Sequence, residues 1–177
     1  MNKDLLMDVE DIRTAITKIS ELLQESINDF QNVCIVGIRT RGIVVAQRIL
    51  KQLNTNNINN IPLGILDITL YRDDLRTKDT WPTIEKTDID FDINNKDVVI
   101  VDDVIYTGRT ARAAIEAVMD YGRPSSIKLI TLVDRGNREL PIQPDFCGAV
   151  FDIAGGKRVN VFLNDTDGRE GVEVTTT

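Results

Sequence analysis

Residues 98–110 read Val98-Val99-Ile100-Val101-Asp102-Asp103-Val104-Ile105-Tyr106-Thr107-Gly108-Arg109-Thr110. The four apolar residues predict a buried β-strand, and the two adjacent acids mark its expected carboxyl end. A short loop rich in hydroxyl groups then enters a helix. Backbone amides at a helix N-terminus, with threonine hydroxyls and a glycine that permits close approach, form an anion site suited to phosphate. The acids can accept hydrogen bonds from a vicinal diol or hold a divalent cation, so the stretch predicts a cradle for ribose 5-phosphate.

A simpler interpretation of the acid pair is a strand end whose carboxylates cap the next helix. For two adjacent aspartates alone that interpretation is the more common one, but it leaves the loop and the glycine unexplained. Two other phosphate motifs are absent from the sequence, namely Gly-x-x-x-x-Gly-Lys followed by Ser or Thr, and Gly-x-Gly-x-x-Gly after a strand. The complete stretch therefore favours the ribose 5-phosphate site.

The rest of the chain alternates between strand and helix patterns. Helical spacing of apolar residues predicts helices at 9–26, which Asp8 would cap, at 43–53 and at 110–121. Apolar runs predict strands at 33–36, 63–70, 97–101, 127–133, 146–153 and 158–163, followed by a turn at 165–168 and a short tail at 172–174. This alternation indicates an α/β fold with a mostly parallel central sheet flanked by helices, whose ligands bind at the carboxyl ends of the strands. At 177 residues the chain suits a single domain over residues 1–177.

Residues 71–92 interrupt the alternation. They are polar, carry many charges and show no convincing period. Long connections of this kind in compact domains are often lids or binding loops. We therefore expect a flexible lid loop over about residues 71–92.

The composition excludes several kinds of chemistry and partner. The chain has no histidine, which rules out Ser/His and Cys/His mechanisms and histidine metal sites. Its net charge of −7 argues against a general affinity for nucleic acid or anionic membranes. Cys34 and Cys147 lie in apolar, strand-like surroundings, which favours buried free thiols over a disulfide. There is no apolar run long enough to span a bilayer and no signal-peptide pattern at the N-terminus, so we expect a cytoplasmic protein.

Residues 98–110 resemble the phosphoribosyl pyrophosphate-binding signature of the type I phosphoribosyltransferases, and three further segments bring the resemblance closer to one family of them, PyrR. They read Val36-Gly37-Ile38-Arg39-Thr40-Arg41-Gly42, Asp67-Ile68-Thr69-Leu70-Tyr71-Arg72-Asp73-Asp74 and Leu132-Val133-Asp134-Arg135-Gly136-Asn137-Arg138-Glu139-Leu140-Pro141-Ile142. The likeness runs from about residue 8 to residue 148. That family comprises pyrimidine-operon regulators with uracil phosphoribosyltransferase activity. The resemblance implies that uracil and phosphoribosyl pyrophosphate (PRPP) give UMP and pyrophosphate with Mg²⁺ as the cofactor.

The resemblance also implies roles for individual residues. Asp102 and Asp103 would engage the ribose hydroxyls, and either could contact Mg²⁺, directly or through water. The family's 5-phosphate loop corresponds to Tyr106, Thr107, Gly108, Arg109 and Thr110. Its pyrophosphate loop, which contains a cis peptide in related enzymes, corresponds to Arg39, Thr40 and Arg41. For Arg39 and Arg41 the plainer alternative is a solvated turn.

The resemblance assigns fewer residues to the lid and to the base-binding site. Arg72 would belong to the lid over PRPP, with a plain surface arginine as the equal alternative. A hood over about residues 134–148, together with the C-terminal strands, would receive the base through backbone groups and neighbouring side chains. Its expected base-binding residues are Val133, Asp134 and Ile142.

RNA binding by the family implies a basic face that this chain carries only in part. Thr17, Lys18 and Arg138 fit such a face, although Arg138 could instead serve pyrophosphate. Glu21, Gln143 and Asn137 stand where basic residues or histidine are expected, and residues 148–154 depart from the family pattern. We therefore rank a uracil phosphoribosyltransferase first. The alternatives are an RNA-binding attenuator with vestigial catalysis, a purine phosphoribosyltransferase, and a PRPP or nucleotide sensor. A homodimer or larger homo-oligomer is implied by the family alone.

Overall fold

A five-stranded parallel sheet lies at the centre of the computed structural model, which describes residues 3–73 and 86–176. Its strands are β2 (Val33–Ile38), β3 (Leu63–Leu66), β4 (Asp97–Ile105), β5 (Ser126–Asp134) and β6 (Phe146–Val150), in the order β3-β2-β4-β5-β6. Strand β2 is buried along its whole length, as expected for a parallel strand covered on both faces. The predicted α/β class with a mostly parallel sheet is confirmed.

Three helices cover the two faces of this sheet. They are α1 (Val9–Ser26), α2 (Arg41–Thr55) and α3 (Arg109–Met119). Ile16 of α1 and Ile49 of α2 belong to the core on one face, whereas Ala114 of α3 belongs to the core on the other face. Helix α1 begins where predicted, because the side chain of Asp8 accepts hydrogen bonds from the amides of Glu10 and Asp11 in a capping box.

A second, antiparallel sheet is built from both ends of the chain. Strand β1 (Lys3–Met7) pairs with β8 (Gly171–Thr176), which also pairs with β7 (Lys157–Phe162). A one-turn helix, α4 (Asn164–Asp167), stands at the predicted turn and ends at Gly168 in a left-handed conformation. The sequence did not predict β1, since its pairing partner lies at the far end of the chain. The segment assigned to the hood by resemblance contributes its residues 146–148 to β6 of the central sheet.

Two predicted strands, 63–70 and 146–153, are longer than the observed ones, and three, 33–36, 97–101 and 127–133, are shorter. Strand β3 ends at Leu66, because the Asp67 side chain accepts hydrogen bonds from the Thr69 amide and hydroxyl and so starts a 3₁₀ turn at Thr69–Tyr71. Strand β6 ends at Val150, where its partner β5 also ends. Strand β4 continues past Val101 to Ile105 because β5 pairs with it along this extension. Residues 74–85 of the predicted lid lie outside the described residues.

The strand order places the carboxyl ends of β2 and β4 at a topological switch point. From β2 the chain moves outward to β3 and then returns to β4 on the other side of β2. Binding crevices of open α/β sheets form at such points. Gly42 lets α2 approach this edge, since a Cβ at that position would lie 2.4 Å from the carbonyl oxygen of Val101.

Both cysteines are free thiols, as predicted. Cys34 is buried and Cys147 is half-buried. Burial raises the pKa of Cys34 to about 11, so this thiol stays protonated at neutral pH and is unreactive. Within residues 3–73 and 86–176, no helix combines the length and the apolar character needed to cross a bilayer.

Candidate active site

A cavity of about 450 Å³ opens at the switch point between β2 and β4. It collects residues from three separated parts of the sequence, together with one from β7. Its polar lining consists of Arg39, Thr40, Arg41, Asp67, Thr69, Arg72, Asp102, Asp103, Thr110 and Arg158. Four arginines and two adjacent carboxylates therefore share one solvent-accessible space, which suits a ligand with several phosphate groups and a polyhydroxylated sugar.

Asp102 and Asp103 lie on the extension of β4 beyond its last residue pair with β2. The pairing of β2 and β4 ends at Gly37 and Val101, whereas β5 still pairs with Asp102 through Thr131. One edge of the acid pair is thus left open toward the cavity. Burial raises the pKa of both carboxyls, that of Asp102 strongly, and the negative charge of Asp103 raises the pKa of Asp102 further. A bound cation or diol hydroxyl would offset this cost.

The loop from Arg39 to Arg41 faces the acid pair across the cavity. The peptide bond between Arg39 and Thr40 is cis, a feature that the sequence left open. Arg39 Nη2 donates a hydrogen bond of 3.1 Å to the carbonyl of Lys86, which lies in the described part of the predicted lid. Arg41 is the first residue of α2, and its positive charge lowers the cost of ionising Asp103. Arg39 and Arg41 line the same cavity as Asp102 and Asp103, so the alternative of a solvated turn does not describe them.

A second, smaller cavity of about 120 Å³ lies at the N-terminus of α3. Tyr106, Thr107, Gly108 and Thr110 line it, and so does Asp102. Gly108 has a φ of 91°, a left-handed conformation that other residues rarely adopt. The N-cap residue Gly108 has no side chain to cap α3, and the first turn contains no acid; the Thr107 hydroxyl accepts only a long hydrogen bond of 3.4 Å from the Arg109 amide, so the amides at this helix start suit a phosphate group.

Arg109 differs from the other residues of this loop. Its side chain forms salt bridges with Asp73 at the start of the predicted lid and with Glu139. Glu139 and Leu140 in turn donate backbone hydrogen bonds of 2.9 and 3.0 Å to the carbonyl of Thr107. The segment that was predicted to receive the base is therefore joined directly to the loop that was predicted to hold phosphate.

The three predicted base-binding residues lie in different surroundings. Val133 is fully buried in β5, backbone included, and pairs with Val104 on one side and Ala149 on the other. The carboxylate of Asp134 accepts two hydrogen bonds from Arg138, at 2.9 and 2.6 Å, and one from the amide of Gly136. Ile142 is half-buried, and its Cβ would lie 3.5 Å from a Cβ at Gly108. Their contact with a base stays a prediction.

Comparison with known proteins identifies the family. Residues 7–154 match the phosphoribosyl transferase domain model. The chain is 48% identical over 169 residues to the bifunctional protein PyrR of Picosynechococcus sp., covering 96% of this chain and 95% of that protein. It is also 48% identical over 162 residues to the bifunctional protein PyrR of Caldicellulosiruptor saccharolyticus, covering 92% and 89% of the two chains. The chain belongs to the PyrR family. The predicted family and the assignment as a phosphoribosyltransferase are therefore confirmed.

Solved structures show the same fold at low sequence identity. A hypoxanthine phosphoribosyltransferase from Staphylococcus aureus is 19% identical with a TM-score of 0.71, and the match covers 98% of this chain and 92% of that one. At this identity the likeness concerns the fold alone. The purine base in that protein's name therefore does not change the PyrR assignment.

The PyrR family suggested RNA contacts at three residues, which the structure places in two separate regions. Thr17 and Lys18 line a groove of about 350 Å³ on α1, together with Arg13 and Glu21. Arg138 lies in the segment after β5, where 12% of its side chain is exposed, and its guanidinium binds Asp134, Gln143 and the carbonyls of Tyr106 and Ile142. The main contacts of Arg138 are thus internal.

Sequence reasoning missed Asp67, Thr69 and Arg158 as residues of the cavity. Arg158 comes from β7 of the second sheet, in the region where the resemblance to the PyrR family is weakest. No local signal marks it, because a single arginine in an alternating strand is an ordinary solvent-facing residue. Asp67 and Thr69 carried a signal that was available, since both belong to the quoted segment around Arg72.

Proposed function

We propose that the chain is a uracil phosphoribosyltransferase of the PyrR type, which converts uracil and PRPP to UMP and pyrophosphate. One observation supports this proposal above the others: Asp102 lines both the large arginine-rich cavity and the small cavity at the N-terminus of α3. A ribose that binds to the acid pair would then have its 5-phosphate on one side and its diphosphate on the other. That is the arrangement of charges in PRPP.

The residues would act by holding and stabilising the reactants, because the attacking nucleophile is a ring nitrogen of the base. Asp102 and Asp103 bind the ribose hydroxyls, and their negative charge stabilises the cationic character that develops on the sugar as the diphosphate departs. Arg39 and Arg41 stabilise the negative charge that accumulates on the leaving diphosphate. The amides at the start of α3 anchor the 5-phosphate and fix the orientation of the sugar.

Magnesium fits the residues at this site. Mg²⁺ keeps several waters and is held by one or two carboxylates together with substrate phosphates, so it does not require a cluster of protein ligands. Among residues 3–73 and 86–176 no group of three metal-binding side chains occurs, whereas the carboxylates of Asp102 and Asp103 share the cavity. We propose that either acid holds Mg²⁺, directly or through water. When bound, the ion neutralises charge on the diphosphate.

A panel of bases tests the proposed reaction. Purified protein with PRPP and Mg²⁺ is expected to form UMP from uracil and to leave hypoxanthine, guanine and adenine unchanged. Nucleotide formation is followed by chromatography, and a reaction without PRPP serves as the control. Turnover of purines without uracil would contradict the proposal and favour a purine phosphoribosyltransferase.

A second activity, binding of an RNA hairpin from a pyrimidine operon, is proposed on a narrower observation. Thr17 and Lys18 are accessible on a groove of α1, next to Arg13. Glu10 pairs with Arg13 and Glu21 lines the same groove, which reduces its positive potential. We therefore expect weak binding that UMP enhances and that falls steeply with salt, measured by filter retention of a labelled hairpin. Binding no tighter than that of an unrelated hairpin would contradict this second activity.

A further inference from the structure

The arginine that begins α2 is held by a carboxylate from α4, the one-turn helix between β7 and β8. Arg41 Nε and Nη2 donate hydrogen bonds to the two carboxylate oxygens of Asp167, at 3.0 and 2.6 Å. Asp167 is the last residue of α4, far from Arg41 in the sequence. The side chain of Asp167 is 15% exposed and that of Arg41 is 34% exposed. This bidentate geometry fixes the plane of the guanidinium.

Asp167 is itself fixed by backbone contacts. Its Oδ2 accepts a hydrogen bond of 2.8 Å from the amide of Leu163, and its own amide donates to the Leu163 carbonyl at 2.8 Å. The hydrogen bond from Arg41, followed by that from the Leu163 amide, outweighs burial and lowers the pKa of Asp167. The carboxylate is therefore an ionised and positioned partner for Arg41 at neutral pH.

The ion pair leaves part of Arg41 available to a ligand. Among the residues that the structure describes, Nη1 of Arg41 has no hydrogen-bond partner, and Arg41 lines the large cavity. The opposite carboxylate, Asp103, interacts with the charge of Arg41 and would compete for its guanidinium if Asp167 were absent.

We propose that Asp167 is a positioning residue for the diphosphate end of the site, and that it acts by holding Arg41 with one edge of its guanidinium turned toward a diphosphate ligand. The inference rests on the proposed function for the identity of that ligand. It adds a contribution from α4 to a site built at the edge of the central sheet together with Arg158 of β7. Neither the sequence pattern nor the family resemblance assigned a role to Asp167.

A neighbouring ion pair supplies a matched control. Arg48 of α2 donates hydrogen bonds to Asp165 and Glu170, at 2.5 Å for the closest contact of each. Asp165 lies in the same one-turn helix as Asp167, but it does not line the cavity and does not contact Arg41. Asp165→Asn therefore weakens the attachment of this helix to α2 without touching the proposed positioning contact.

The experiment measures binding of Mg²⁺-pyrophosphate by calorimetry, without any base, to the full chain and its variants. Asp167→Asn is expected to weaken binding about tenfold, as for the loss of one charge-assisted contact. Asp165→Asn should stay within about twofold of the unmodified chain on the same scale. Arg41→Gln should lose as much as Asp167→Asn, and the double variant should lose no more than Arg41→Gln alone, because the two residues act through one contact.

Three results would overturn the inference. These are unchanged binding by Asp167→Asn, an equal loss in Asp165→Asn, and additive losses in the double variant. Absence of any pyrophosphate binding by the unmodified chain would also overturn it. Should Asp167→Asn fail to fold, Arg41→Gln tests the same contact from its other side, and unchanged binding in that variant is equally decisive. Because no base is present, failure of uracil transfer would refute the proposed function and leave this result intact.

Discussion

Replacement of Asp102 or Asp103 by asparagine is expected to lower turnover at least about 100-fold, since each substitution removes a negative charge that stabilises the developing ribosyl cation. Asparagine has nearly the same shape as aspartate and can still accept a hydrogen bond, so binding of PRPP should suffer less than turnover. Initial rates of UMP formation at saturating PRPP measure the effect. Asp97→Asn, at the other end of the same strand, is the matched control, because Asp97 bonds to Ser126 and lies outside the cavity.

The same substitutions are expected to leave the fold at least as stable at neutral pH. Burial raises the folded-state pKa of both carboxyls, so the folded state binds their protons more tightly than the unfolded state does. It follows that the stability of the unmodified chain falls as pH rises through the raised pKa, whereas an asparagine side chain does not titrate. Thermal melts should therefore show a higher melting temperature for the asparagine variants, by a margin that grows with pH.

Turnover within threefold of the unmodified chain in both variants would contradict the assignment of the acid pair.

Replacement of Arg138 by glutamine is expected to reduce the free energy of unfolding by about 3 kcal/mol, because it leaves the buried carboxylate of Asp134 without its partner. The pair is largely excluded from water, with side-chain exposures of 12% for Arg138 and 13% for Asp134. Urea denaturation at pH 7 measures the loss. The double variant with Asp134→Asn should recover part of it, since no unpaired charge remains.

The pH dependence gives an independent check on this pair. Burial alone would raise the pKa of Asp134, but the hydrogen bonds from Arg138 and the Gly136 amide outweigh it and lower the pKa overall. The stabilisation is therefore fully present above the unfolded pKa of about 4 and is lost as pH falls through the lower folded value. The gap between the unmodified chain and Arg138→Gln should narrow below that pH.

Arg109→Gln is the control for the Arg138 result, because Arg109 also forms salt bridges with two acids but is 48% exposed. Exposed pairs contribute roughly 0–1 kcal/mol, so this variant should change stability little. An equal effect of the two substitutions would show that Arg138 has no special structural role. A large effect of Arg138→Gln alone would show that this arginine, which the family resemblance assigned to RNA or pyrophosphate, stabilises its own segment of the chain.

Local sequence determined the features whose physical basis is local. The capping box of Asp8, the apolar spacing of α1 and the apolar run before Asp102 each act within a few residues, and the structure has the corresponding helix and strand. The loop at 106–110 was equally readable, because a left-handed glycine before a helix needs only its neighbours. These features also carried the likeness to the PyrR family.

Tertiary structure alone decided which distant residues meet. Strand β1 forms only because β8 returns beside it, and β4 extends past Val101 only because β5 pairs with it there. Arg158 reaches the site from β7, and Asp167 reaches it from α4, the one-turn helix between β7 and β8, through contacts that no local period encodes. Pairing across the chain depends on the packing of whole elements. The ribose 5-phosphate site could therefore be predicted from residues 98–110, whereas the contacts of Arg158 and Asp167 at the diphosphate end of the site could not.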